Sequence, residues 1–115
     1  MVGSSVYRNL NVNATGVNIK ASPGKIVGFV LFNVHATVAA YVKLYDKATA
    51  PTVGTDTPKV TILVPLVGSV VLPLSEVGEG IDFANGIGIG ATTGAADADT
   101  TAPTANNVIA NILYR

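Results

Sequence analysis

Apolar and polar residues alternate with a period of two along much of the chain. In "GVNIKA" (16–21), Val17, Ile19 and Ala21 alternate with Asn18 and Lys20, the pattern of a half-buried strand, and Ser22-Pro23-Gly24 then supplies turn chemistry. "KIVGFVLFNVH" (25–35) is a longer apolar run rich in β-branched and aromatic residues, which predicts a central strand with Gly28 as a bulge or point of close approach. "AAYVKLYD" (39–46) fits helical spacing through Val38, Tyr41, Val42 and Tyr45, but no capping box precedes it and the alternation reads as a strand. "KVTILVPL" (59–66), "SVVLPL" (69–74), "GIDFA" (80–84) and "IGIGAT" (87–92) predict short strands, with Pro65 and Pro73 confined to their ends or edges. "NVIANILYR" (107–115) closes the series, with Val108, Ala110 and Ile112 on one face of a strand clamped inside a sheet. The segments 47–59 and 92–107 are Thr-, Pro- and Ala-rich connections.

About eight short strands with frequent turn signals describe a single-domain, all-β antiparallel sandwich or barrel spanning residues 1–115, with residues 1–6 as a flexible N-terminal arm. Composition then narrows the function. Charged residues make up 12% of the chain, about half the usual share, and seven basic residues balance seven acidic ones. The basic footprint of a nucleic-acid partner is lacking, and no apolar run reaches the roughly 18 residues of a membrane span. With 49% hydrophobic residues and no net charge, part of the surface is expected to be covered by a partner or by copies of the chain itself. There are no cysteines, so disulfides and thiolate metal sites are excluded.

Candidate chemistry is sparse. In "FANGIGIGATTG" (83–94), Gly86, Gly88 and Ala91 match G-x-G-x-x-A, yet a polar loop follows where a phosphate-binding helix would have to open. Asn85-Gly86 reads instead as a two-residue hairpin turn joining "GIDFA" to "IGIGAT", with Gly88 and Gly90 leaving one face bare for close packing. Asp97 and Asp99 have the spacing that begins a calcium loop but lack its glycine and distal glutamate, and Glu76, Glu79 and Asp82 around a turn are a weak cation candidate. His35 has no second histidine or cysteine to share a metal and reads as a satisfied strand-end residue. No nucleophile elbow accompanies the serines. No cofactor, metal site or catalytic set is therefore expected. Tyr41 and Tyr45 are candidate stacking or interface residues, and Ile89 and Ile112 candidate interface residues.

The phrases "ATGVNIKASPGKIVGFVLFN", "YVKLYDKATAPTVGTDTP" and "FANGIGIGATTGAADADT", closed by "ANILYR", resemble short proteins encoded among the structural genes of tailed bacteriophages and prophages. The resemblance covers about Tyr7 to Arg115 and implies a virion component with a β-sandwich or jelly-roll fold. It carries no functional residues. On this reading the chain is a non-enzymatic capsid decoration or cement protein. It is made in the host cytoplasm without a signal peptide and sits on the capsid surface as a homo-oligomer, a trimer being favoured. Its partners are the major capsid protein or other virion proteins, met through the loops 47–59 and 92–107. The alternative is a tail or head-fibre module that binds host carbohydrate.

Overall fold

The computed structural model describes residues 3–74 and 80–115. Among these there is no helix, and nine strands follow one another: β1 (Ser5–Asn9), β2 (Val17–Lys20), β3 (Gly24–Asn33), β4 (Ala40–Tyr45), β5 (Val60–Val64), β6 (Gly68–Leu72), β7 (Ile81–Phe83), β8 (Ile87–Thr92) and β9 (Val108–Tyr114). They form two antiparallel sheets, one ordered β1-β9-β3-β6 with β7 also on β3, the other β2-β8-β4-β5. The pairs β1·β9, β2·β8, β3·β6 and β4·β5 nest inside one another along the chain. That nesting is a long antiparallel ribbon rolled over itself, and the sandwich is a jelly roll.

The alternation seen in the sequence selects the core. Phe29 and Leu31 of β3 and Val108, Ala110 and Ile112 of β9 face inward from one sheet; Val42 and Leu44 of β4 and Ile87, Ile89 and Ala91 of β8 meet them from the other. Each fully buried aliphatic side chain in this layer stabilises the fold by about 1.5–3 kcal/mol relative to an exposed one. Gly28 is a bulge, as expected: the β3–β9 register slips between Ile26 and Gly28, and both Ile26 and Val27 become buried. Pro65 and Pro73 lie immediately beyond β5 and β6, where no ladder donor is needed.

Two expectations require correction. Ser5 and Val6 do not belong to a free arm; they begin β1, paired with Tyr114 and Leu113, and this strand raises the count to nine. Nor is Asn85-Gly86 a hairpin turn, because β7 pairs with β3 while β8 pairs with β2 and β4 in the other sheet. The segment is a crossing between layers. The Asp46 carboxylate holds it by accepting the N–H groups of Ala84 (3.1 Å), Asn85 (2.8 Å) and Gly86 (3.4 Å). Gly86 is needed there for close approach, since a Cβ would lie 2.5 Å from the Lys47 carbonyl oxygen and 2.6 Å from that of Lys20.

Candidate functional site

A sandwich has two outward faces, and here they differ. On the β2-β8-β4-β5 sheet the outward row of β4 is Tyr41, Lys43 and Tyr45, set against Thr92, Gly90 and Gly88 of β8. The connections after β4 and β8 fold back over this row. A Cβ on Gly88 would stand 2.9 Å from Pro51 Cδ, and one on Gly90 2.6 Å from Val53 Cγ2, so the bare glycine face is filled by the first loop. Lys43, fully buried, donates from Nζ to the Ala96 carbonyl of the second loop at 2.6 Å. The loops also lock internally: Asp56 accepts both Lys47 Nζ and the Thr52 N–H at 2.7 Å, which holds its carboxyl below the ordinary carboxylate range, and Thr93 N–H donates to Thr101 O at 2.9 Å. The inner sides of both expected partner-facing loops therefore cover their own sheet.

Among the described residues no loop folds over the other outward face in this way. Cross-strand registers define three rows: Val6–Leu113–Gly28, Arg8–Asn111–Val30–Val71 and Ile109–Phe32–Ser69. Arg8 is the one charged residue in them. Val6 is 61% exposed, Val71 57% and Phe32 39%, while Val30, Ile109 and Leu113 are half-buried among their neighbours. At one end, Phe32, Val34, Val67, Gly68 and Ser69 line a groove of about 320 Å³. Val67 there is left-handed, φ +45°, a conformation that a β-branched residue rarely adopts. Its N–H donates to the His35 carbonyl at 3.0 Å.

The sequence-predicted site residues separate on this map. Ile89 and Ile112 are core residues, packed between the sheets, and are not available to a partner. Tyr45 is buried beneath the loops, so it forms no stacking platform with half-buried Tyr41. Its hydroxyl, which meets no hydrogen-bond partner among the described residues, is pushed above the ordinary tyrosine pKa by burial and then by the nearby charges of Asp56 and Asp97. His35 is satisfied as expected, but as a turn organiser: Nδ1 accepts the N–H groups of Thr37 and Val38, both at 3.1 Å. Asp99 accepts the Thr101 N–H at 2.8 Å in a local turn. Asp82 lies exposed on β7, 3.4 Å from Lys25; Glu76 and Glu79 fall outside the described residues. Among the described residues no three His, Asp or Glu side chains gather into a metal-binding group.

Cavities add little. The space under Asn33, His35, Ala40, Thr93 and Pro103 holds about 100 Å³, well below the roughly 300 Å³ at which small-molecule sites begin. A wider open groove of about 550 Å³ carries Lys20, Lys25, Lys59, Arg115 and Asp82, with Lys59 donating to the Asp82 carbonyl and lying 5.4 Å from the Phe83 ring centroid. Sequence reasoning missed Asp46 and Lys43. Asp46 acts on a segment nearly forty residues away, and the burial of Lys43 depends on a loop with no periodic signal. Searches against protein-family models and curated proteins return no match.

Proposed function

We propose that this chain is a structural protein of a bacteriophage virion, a capsid decoration or cement protein that stabilises the shell by bridging major-capsid subunits. The observation that carries the reading is the set of apolar rows on the outward face of the β1-β9-β3-β6 sheet, with Arg8 their one charge, left open among the described residues. A surface of that kind marks a protein contact. Cementing requires many copies with modest contact area and no chemistry, in keeping with the scattered carboxylates and single histidine of the sequence. The phrase-level resemblance to phage structural proteins points the same way. The carbohydrate-binding alternative loses its main support with the burial of Tyr45.

The test is co-sedimentation of purified protein with phage capsids stripped of accessory proteins. Saturable binding at a fixed ratio to the major capsid protein, with raised thermal stability of the shells, is the expected result. Protein that stays in the supernatant at every ratio would refute the assignment.

A further inference from the structure

The exposed sheet face has a definite geometry. Strands stand about 4.8 Å apart and rise about 3.3 Å per residue, so about seven positions each of β3 and β9 and five each of β1 and β6 give a face of about 380 Å² in projection. Two such faces remove about 760 Å² in projection, to which the relief of the side chains adds, a modest interface beside the roughly 1,200 Å² at which standard ones begin. Leu74 lies beside Gly28 on this surface. The whole molecule measures 41 × 27 × 18 Å, so this is one of its broad sides.

We infer that the occupant of this face is a second copy of the chain, packed sheet on sheet about a two-fold axis; the inference rests on the reading of the face as an assembly surface. Self-association imposes a condition that other partners do not: the patch must complement itself. A patch with charges of one sign fails that condition, because like charges meet across the axis. These rows meet it, since Val6, Val30, Val71, Phe32 and Ile109 are neutral and apolar and Arg8 sits on the outer strand β1. An axis running along the strands lays β1 over β6 of the other copy and keeps the two Arg8 side chains at opposite rims. Aligned sheets pack with their strands within about 30°, the arrangement inside the sandwich itself. The groove at Phe32, Val34 and Val67 then receives an apolar side chain from the facing copy. This pairing is two-fold, where the sequence reading favours a trimer.

Light scattering on the purified full chain, with Val71→Lys and the loop control Ala48→Lys, tests the inference. Both sites are exposed, and circular dichroism with thermal melting confirms that each variant is folded. The wild type is expected at twice the 11.7 kDa chain mass, or an even multiple of it. Ala48→Lys leaves that mass unchanged. Val71→Lys weakens association about ten-fold for each lysine, so about a hundred-fold for the pair, and shifts the mass to the monomer. A wild-type monomer or trimer, or a dimer whose mass Val71→Lys does not change, overturns the inference. Stripped capsids separate it from the functional reading: a dimer that ignores the shells upholds the inference and refutes the cement role. A monomer that binds shells and loses them on Val71→Lys assigns the face to the capsid and overturns the inference alone.

Discussion

Val67 stores strain that a single substitution releases. A left-handed backbone costs an L-residue about 1–2 kcal/mol, and a β-branched side chain belongs among the worst fits. Asparagine tolerates the same region because its short side chain adapts locally. Val67 is 69% exposed, so removing its methyl groups forfeits about a third of the roughly 1.5 kcal/mol that full burial of a valine provides, about 0.5 kcal/mol. The Val67 N–H to His35 O hydrogen bond survives, since it belongs to the backbone. Val67→Asn is therefore expected to raise stability by about 0.5–1.5 kcal/mol, or about 2–6 °C in Tm for a domain of this size. The measurement belongs in the Val71→Lys background, where association does not add to the melting temperature. Asn106 provides the mirror test: it holds φ +63° with a tolerant residue, and Asn106→Val is expected to cost about 1–2 kcal/mol. A Val67→Asn protein that melts at or below its parent, with an unchanged circular dichroism spectrum, would refute the strain argument.

Two further perturbations address the loops. Gly90→Val places a branched side chain where even a Cβ meets Val53 at 2.6 Å, and it is expected to destabilise by about 1–3 kcal/mol and to speed proteolysis within residues 47–59; unchanged melting and cleavage would show that the loop yields freely. Asp46 accepts three backbone donors, with Asn85 foremost in holding its carboxyl below the ordinary 3.8, so the stability it contributes is present above that value and is lost as pH falls through the lower folded value. Asp46→Asn should destabilise the protein at about pH 6 and shrink the loss of urea resistance between about pH 6 and about pH 3. Equal acid sensitivity in variant and parent would exclude Asp46 as a source of it.

The strands and the core layer were legible because alternation is a local signal: Val42 and Leu44, Ile87 and Ile89, and Val108, Ala110 and Ile112 each lie in their own short window. β1 escaped because "SVYRN" buries little of itself; its exposed Val6 and half-buried Tyr7 blur the contrast that marks a strand. Asn85-Gly86 carries a strong hairpin preference, but Asp46 and the crowding at Gly86 send the chain to the other sheet. The burial of Tyr45 and Lys43 is also long-range, made by loops whose composition announces only that they are loops. The candidate site was legible as a property, too many apolar residues for too little charge, and not as a location. Ile89 and Ile112 were plausible interface residues until the pairing showed which side of each strand faces inward.

Placing the excess apolar residues explains the sequence more fully. A strand with one face in a core and one in water alternates; a strand covered on both faces reads as a continuous apolar run. Two strands near the sheet centres break the alternation in different ways. In β8, "IGIGAT", the second face is glycine, and the covering side chains, Pro51 and Val53, come from within the chain. In β3, the "IVGFVLF" stretch is apolar on both sides: Phe29 and Leu31 enter the core, and Val30 and Phe32 face outward with Ile109 and Val71. Val71 and Phe32 stay exposed on that outward side, and Leu74 lies beside Gly28. The long apolar run of β3 thus has the pattern of a doubly covered strand, and the proposed second copy would supply its second cover. The scarcity of charge fits the same arrangement, because a charged side chain in those rows would have to lose its water when a second copy docks.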